Sequence, residues 1–307
     1  MRSSVLEAIG DTPLLRLDKV VPPDCADVYL KLEWFNPTGS YKDRMALAMV
    51  EEAEARGDLR PGMTVVEYTG GSTGSSLAFV CAVKGYRFVA VSSDAFAQEK
   101  LDTMRAFGAD LTIVPSDNGQ LTADLANRMI AEAEALAAEP DTYLTNQLHN
   151  ADALVGYRRV GDELLDQFDG RIDVFCASVG TAGLLMGVAQ ALRDAGAATR
   201  VVALEPASSP VISTGQSGTH RVEGVGIGFV PPLLDADLYD EVWGVEEAEG
   251  RTMARRLARE EGVFAGTSSG LNVAGAIRLG RELGPGPTVV TVAVDTGLKY
   301  LAGDLYS

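Results

Sequence analysis

Lys42 is the residue from which covalent chemistry can be argued, and it lies in the stretch NPTGSYKDR, residues 36–44. The Asn-Pro pair and the following glycine indicate a turn, and the apolar run Met45 to Val50 predicts a helix. Lys42 would then lie in the first helical turn, where the helix dipole disfavours an ammonium group. A neutral lysine amine is a nucleophile that can form an imine with a carbonyl compound. The alternative is a solvated lysine beside Asp43 and Arg44.

Three loops rich in glycine and hydroxyl groups precede predicted helices, at residues 69–74 (TGGSTG), 178–183 (SVGTAG) and 266–270 (GTSSG). Backbone N–H groups at a helix N-terminus bind carboxylate or phosphate groups well. One such loop alone is an ordinary connection between a strand and a helix. Two anion-binding loops together with a reactive lysine suit a cofactor with an aldehyde and a phosphate, and a substrate with a carboxylate. Neither a Walker lysine motif nor a strict GxGxxG occurs, so nucleotide binding is the weaker interpretation.

The elements that must position these loops are strands alternating with longer helices. The predicted strands span residues 14–17, 28–32, 64–67, 88–91, 111–114, 143–145, 172–177, 201–204 and 288–294. The predicted helices span residues 42–56, 74–84, 98–107, 121–138, 153–168, 184–195, 248–261 and 269–283. Such alternation indicates parallel sheets with helices on both faces, and ligands bind at the carboxyl ends of such strands. Two series of this kind predict two α/β lobes.

Composition indicates a globular protein, because 46% of the 307 residues are hydrophobic and 22% are charged. A net charge of −17 argues against nucleic acid and anionic membrane surfaces as partners. The three cysteines, Cys25, Cys81 and Cys176, have no spacing typical of a metal site or a disulfide framework. The sequence has no secretory signal and no run of about 18 apolar residues. We therefore expect a cytoplasmic protein without a bound metal.

Several segments, in this order, resemble the cysteine synthase and cystathionine β-synthase group of fold type II pyridoxal-phosphate enzymes. The matching segments are residues 9–14 (IGDTPL), 36–44, 69–74, 180–183, 224–229 (GVGIGF), 261–270 and 295–300 (DTGLKY). The resemblance implies a two-lobed α/β fold like that of the tryptophan synthase β subunit, each lobe a mostly parallel twisted sheet flanked by helices. The smaller lobe would comprise residues 1–12 and 35–146, with the substrate-carboxylate loop. The larger, cofactor-binding lobe would comprise residues 13–34 and 147–307, and the protein would be a homodimer.

The resemblance also implies a role for each residue of the site. Lys42 would hold pyridoxal 5′-phosphate as an imine and later remove the α-proton of the substrate. Ser268 would meet the pyridine nitrogen as a neutral partner, which favours β-chemistry over transamination. The phosphate would be bound by Gly180, Thr181, Ala182 and Gly183. The substrate carboxylate would be bound by Thr69, Gly70, Ser72, Thr73 and Gln147.

Three positions depart from the pattern of the family. Ser72 stands where the family usually has an asparagine that meets the 3′ oxygen of the cofactor, so the shorter serine would take that role. Ala182 replaces a usual glycine and restricts the backbone, and Leu184 replaces a usual threonine and removes a phosphate donor. His149, close to Gln147 in sequence, is either a pocket residue or a surface histidine.

The activity that the resemblance implies is β-replacement on an activated serine derivative, for example O-acetylserine with sulfide to give cysteine. β-Elimination on the same scaffold is an alternative, as in a cysteine desulfhydrase or a serine/threonine dehydratase. An alternative of another class is a binding or regulatory protein that keeps the fold without turnover. The substrate in any case is a small amino acid, whose identity and whose nucleophilic partner the sequence leaves open.

Overall fold

The computed structural model of the protein describes residues 3–119, 122–168 and 171–307. The chain forms two compact units: unit 1 comprises Met1–Ile9 and Lys42–Gly156, and unit 2 comprises Gly10–Tyr41 and Tyr157–Ser307. The chain therefore changes unit after residues 9, 41 and 156, whereas the lobes expected from the sequence change after residues 12, 34 and 146. The assignment of a smaller substrate lobe and a larger cofactor lobe stays a prediction.

The strands of the described chain are β1 (Leu14–Arg16), β2 (Asp27–Leu32), β3 (Thr64–Tyr68), β4 (Arg87–Ser93), β5 (Asp110–Val114), β6 (Thr142–Leu144), β7 (Val174–Ser178), β8 (Arg200–Pro206), β9 (Glu241–Val245) and β10 (Thr288–Ala293). Its α-helices are α1 (Lys42–Arg56), α2 (Ser72–Lys84), α3 (Gln98–Ala106), α4 (Ala123–Ala137), α5 (Asp152–Gln167), α6 (Gly183–Asp194), α7 (Val211–Thr214), α8 (Glu247–Arg256) and α9 (Thr267–Leu283). A π-helical segment, Leu257–Glu261, follows α8. No helix in the described ranges is long and apolar enough to cross a bilayer.

Two of these elements, α7 and β9, have no counterpart in the sequence prediction. The first is a single helical turn beside a proline and a glycine, and the second contains Gly244 and charged or aromatic residues instead of an apolar run. The predicted helix at residues 121–138 begins at Leu121, which lies outside the described residues, and α4 is observed from Ala123. The predicted helix at residues 248–261 is observed as α8 followed by the π-helical segment.

Unit 1 contains a four-stranded sheet in the order β5-β4-β3-β6, with every pair parallel. Helix α4 packs against one face through a core that includes Val66 of β3 and Leu125 of α4, with Tyr68 against it. Side chains alternate between the faces of a strand. Glu67, between Val66 and Tyr68, therefore points to the face opposite α4.

Unit 2 contains a six-stranded sheet in the order β1-β2-β10-β7-β8-β9, in which only β1 and β2 are antiparallel among its described pairs. Helix α9 packs on this sheet through an apolar core. That core includes Val28 and Leu30 of β2, Val289 and Ala293 of β10, and Leu271 and Ile277 of α9. The mixed α/β architecture with largely parallel sheets and flanking helices confirms the fold class predicted from the sequence.

Candidate active site

Lys42 is the first residue of α1, as the sequence predicts, and only 7% of it is exposed. Burial lowers the pKa of its ammonium group from the ordinary 10.5 to about 8, and the charge of Glu67 partly opposes this shift. The direction agrees with the neutral amine expected from the sequence, but the main cause is desolvation. At pH 7 about a tenth of Lys42 is therefore neutral and available as a nucleophile or a base, far more than for an ordinary lysine.

Glu67, at the end of β3, is a buried carboxyl group that the sequence analysis did not single out. Its Oε2 accepts hydrogen bonds from Thr145 Oγ1 (2.7 Å) and from the backbone N–H of Gln147 (3.0 Å), and its Oε1 accepts one from the N–H of Tyr68 (3.1 Å). Burial raises the pKa of Glu67 to about 7, against the lowering effect of these bonds and of Lys42. A carboxylate inside the otherwise apolar strand was the signal that could have revealed it.

The loop after β3 brings together Thr73 and Gln147, two of the predicted carboxylate-binding residues. Thr73 Oγ1 donates a hydrogen bond to Gln147 Oε1 at 2.7 Å. Thr69, also in this loop, accepts a hydrogen bond from the N–H of Gly71 at 3.3 Å. Ser72 is the first residue of α2, so the loop presents backbone N–H groups and hydroxyls at a helix N-terminus.

Gly70 lies in close contact with an aromatic ring. A Cβ atom at this position would overlap the ring of Phe96, so the loop can approach Phe96 only with glycine. Lys42, Glu67, the loop at 69–74 and Gln147 all belong to unit 1. The predicted lysine and the predicted carboxylate-binding residues therefore belong to one unit.

The loop after β7 has the features of a phosphate-binding loop. The backbone N–H groups of residues 180–183, all described, donate no hydrogen bond within the chain. Helix α6 begins at Gly183, and Ala182 precedes it in the left-handed conformation (φ 68°, ψ −13°). A Cβ at Gly180 would overlap the carbonyl oxygen of Gly224, and one at Gly183 would lie 2.9 Å from the ring of Tyr157. The row of N–H groups thus depends on glycine at both positions, and Thr181 lies between them.

Ser268 is the second residue of α9 and is 3% exposed. Two further hydroxyls in unit 2, Ser178 Oγ and Thr267 Oγ1, are buried without a hydrogen-bond partner in the described chain. Buried hydroxyls without partners are costly, and together with the unpaired N–H groups of residues 180–183 they indicate a polar ligand. These groups fit pyridoxal phosphate, whose phosphate needs several donors and whose pyridine nitrogen needs one partner.

Two other sequence expectations can be compared with the structure. His149 is exposed, and its Nδ1 lies 3.1 Å from Asn146 Oδ1, so the described geometry is that of a surface histidine. Leu184 is buried in α6 and provides no polar group. Among the described residues, no cluster of His, Cys, Asp or Glu could hold a metal ion.

Comparison with known proteins now identifies the family. The family described as "Pyridoxal-phosphate dependent enzyme" matches residues 5–295, which is most of the chain. The chain belongs to this family. A cysteine synthase of Staphylococcus aureus is 43% identical over 306 residues, covering 99% of this chain and 97% of the relative. This protein is a pyridoxal-phosphate-dependent enzyme of the cysteine synthase family, which confirms the cofactor predicted from the sequence.

Solved structures of the family have the same fold. A structure of O-ureido-L-serine synthase is 40% identical, with a TM-score of 0.92, and the match covers 100% of this chain and 95% of that one. O-Acetyl serine sulfhydrylase isoform 3 from Entamoeba histolytica is 32% identical, with a TM-score of 0.94, covering 100% of this chain and 92% of that one. These matches confirm the predicted fold type over the length of the chain.

Proposed function

We propose that this enzyme catalyses β-replacement on an activated L-serine derivative, with O-acetylserine and sulfide as reactants and cysteine and acetate as products. The observation that carries the proposal is Lys42, a buried lysine of lowered pKa in the same unit as a loop whose hydroxyls and N–H groups suit a carboxylate. The names of the relatives, cysteine synthase and O-acetyl serine sulfhydrylase, support this choice of reactants.

Each group of residues has one task in the proposed reaction. Lys42 would hold the cofactor through Nζ, and the same amine would take the α-proton of the substrate. The loop at residues 69–74, with Gln147, binds the substrate carboxylate and so fixes Cα near that amine. Pyridoxal phosphate, when bound, supplies the electron sink for the charge that develops at Cα.

The phosphate and the pyridine ring of the cofactor would be held by the loop after β7 and by Ser268. The N–H groups of residues 180–183 and the hydroxyl of Thr181 would bind the phosphate, and Ser268 would hydrogen-bond the pyridine nitrogen. A serine at this position leaves the ring less electron-withdrawing than a carboxylate would, which favours β-replacement and β-elimination over transamination. Ser72 would take the position of the asparagine usual in the family.

A second candidate reaction differs only in the nucleophile. The relative of 40% identity is named O-ureido-L-serine synthase. O-Ureido-L-serine is a serine whose side-chain oxygen carries a ureido group, so a β-replacement with hydroxyurea as the oxygen nucleophile would form it. The binding groups for the amino acid would be the same in both reactions. The two candidates are therefore distinguished by the product and not by the amino-acid substrate.

One assay separates these possibilities. The purified holoenzyme is incubated with O-acetylserine and sulfide, with O-acetylserine and hydroxyurea, and with cysteine or serine alone, and products are measured by liquid chromatography and mass spectrometry. We expect cysteine from the first mixture. Keto acid from cysteine or serine alone, without an amino-acid product from O-acetylserine, would contradict the replacement and indicate elimination. A Lys42→Ala variant should keep its circular dichroism spectrum and lose both the visible absorption band and turnover.

We also propose that the enzyme is a cytoplasmic homodimer that binds neither nucleic acid nor membranes. The net charge of −17 supports the absence of these anionic partners, and the family resemblance supports the dimer. Light scattering after size-exclusion chromatography should give about twice the chain mass of 32.4 kDa. A mass equal to one chain would contradict the dimer.

A further inference from the structure

We propose that Glu67 is a positioning residue, which fixes Gln147 and, through it, Thr73. The assignment of Lys42 as the reacting amine rests on the proposed function, whereas the contacts of Glu67 rest on the structure alone. Glu67 is fully buried at the end of β3, and the carboxylate-binding loop begins two residues later. It therefore lies where a change in its carboxyl group affects the backbone that leads into the loop.

The first part of the inference is mechanical support. Glu67 Oε2 accepts the backbone N–H of Gln147 at 3.0 Å, and Gln147 Oε1 in turn accepts the hydroxyl of Thr73 at 2.7 Å. Glu67 Oε1 accepts the N–H of Tyr68, which leads into the loop, at 3.1 Å. A glutamine at position 67 would place an NH₂ group against one of these N–H donors, since an amide offers only one acceptor oxygen. An ionised glutamate of the same size accepts hydrogen bonds at both of its carboxylate oxygens.

The second part is that Glu67 can take up a proton while its carboxyl group and Thr145 both keep hydrogen-bond partners. Thr145 Oγ1 lies 2.7 Å from Glu67 Oε2 and 3.2 Å from the carbonyl oxygen of Val66. With Glu67 ionised, the hydroxyl of Thr145 donates to the carboxylate. With Glu67 protonated, the carboxyl group donates to Thr145, and the hydroxyl turns to donate to Val66. Both charge states are thus hydrogen-bonded in a buried place where an unpaired polar group would be costly.

The third part is the electrostatic link to Lys42. Burial disfavours both charges, lowering the pKa of Lys42 and raising that of Glu67, and each group opposes this effect on the other. Burial raises the pKa of the Tyr68 phenol, and the charges of Glu67 and of Glu134 in α4 act in the same direction. Asp43, beside Lys42 in α1, accepts a hydrogen bond from Ser76 Oγ at 2.6 Å. Removing the negative charge of Glu67 therefore makes the ammonium form of Lys42 less favourable.

The test measures the titration of Lys42 without any substrate. The full-length chain, freed of cofactor, is labelled with trace acetic anhydride between pH 6 and pH 11, and the acetylation of Lys42 is followed by mass spectrometry of its peptide. In Glu67→Gln we expect Lys42 to react several-fold faster at pH 7 than in the wild-type chain, because more of the amine is neutral. The matched control is Glu54→Gln, which removes a carboxylate of α1 that binds Lys84 and Tyr86 instead. An unchanged Lys42 titration in Glu67→Gln would contradict the electrostatic link between the two groups.

Two further measurements do not depend on the folding of that variant. Glu67→Asp keeps the charge and shortens the side chain, so the Lys42 titration should stay near that of the wild type while the KM for the amino acid rises and kcat changes little. An Asp variant with the KM of the wild type would overturn the positioning of Gln147 and Thr73. An Asp variant that shifts the titration as far as the Gln variant would refute the role of the charge. In the wild-type chain itself, the Lys42 reactivity curve should show a second inflection near pH 7, where Glu67 titrates. A single inflection would contradict the coupling.

Failure of the proposed function would look different. If the holoenzyme forms no cysteine from O-acetylserine and sulfide while the titration of Lys42 responds to Glu67 as expected, the reaction assignment is wrong and the positioning role stands. If cysteine forms and neither the KM of Glu67→Asp nor the Lys42 titration changes as expected, the positioning role is wrong and the reaction assignment stands.

Discussion

Replacing Lys42 by methionine should stabilise the cofactor-free protein at neutral pH. A fall in pKa from 10.5 to about 8 in a buried lysine corresponds to about 3 kcal/mol of lost folding free energy below pH 8. Methionine has a similar length and carries no charge, so it removes this cost. The net gain should be about 2 kcal/mol at pH 7, since Glu67 loses the ammonium that lowers its own pKa.

The stability difference between Lys42→Met and the wild-type chain should depend on pH in a defined direction. Between pH 8 and 10.5 the unfolded chain still binds a proton at Lys42 that the folded chain has released. The contribution of Lys42 to the free energy of unfolding therefore rises with pH across this window, because the unfolded state binds more protons. The advantage of the Lys42→Met variant should be largest below pH 8 and should vanish near pH 11. Urea unfolding, followed by circular dichroism at several pH values, measures this difference.

A matched control is Lys84→Met in α2. Burial lowers the pKa of Lys84. Its hydrogen bond with Glu54 and the charge of Glu51 together raise the pKa by more than burial lowers it, so the net shift is upward. Because Lys84 is bound more tightly as a cation, its loss should leave the protein equally or less stable at pH 7. A Lys42→Met variant that is no more stable than the wild-type chain at pH 7 would refute the argument that burial lowers the pKa of this amine.

Three other substitutions test the loops. Thr73→Val removes the hydroxyl that binds Gln147 and should raise the KM for O-acetylserine about tenfold in initial-rate assays, the equivalent of about 1.4 kcal/mol; an unchanged KM would contradict its role. Ala182→Gly should raise the free energy of unfolding by about 0.5–1 kcal/mol in urea titrations, because alanine at φ 68° is strained; no gain would contradict that strain. Gly183→Ala should lower the same free energy by about 1–3 kcal/mol, since its Cβ would lie 2.9 Å from the ring of Tyr157; wild-type stability would show that the ring moves away easily.

Most of the fold could be predicted because its strands and helices follow from local sequence patterns. The strands β4 and β7 contain apolar runs of four residues, 88–91 and 174–177, and α2 ends at Gly85 in the left-handed conformation that glycine favours. The strand β9 breaks these rules because it lies at the edge of its sheet, where only one neighbour pairs with it. An edge strand needs fewer apolar residues, so Gly244 and Glu241 are tolerated there and the pattern disappears.

The site was predictable where one residue or one loop carries the signal. The position of Lys42 at the start of α1 and the glycine loops followed from the sequence, because capping and turn residues act over a few positions. The role of Glu67 did not follow, since its partners are Lys42, Thr145 and Gln147, far from it in sequence. Burial, which sets the pKa of Lys42, is likewise a product of the tertiary fold.

The strand order of unit 2 affects how the chain can fold while it is being synthesised on the ribosome. The strand β10 is the final strand in the described sequence, yet it pairs with β2 on one side and β7 on the other. The sheet of unit 2 therefore stays split, with two open edges, until residues 288–293 have left the exit tunnel. Unit 1 has its whole sheet within residues 64–144, so it can close while synthesis continues. We expect the nascent chain to need chaperone protection mainly between the synthesis of β7 and the pairing of β10 with β2 and β7.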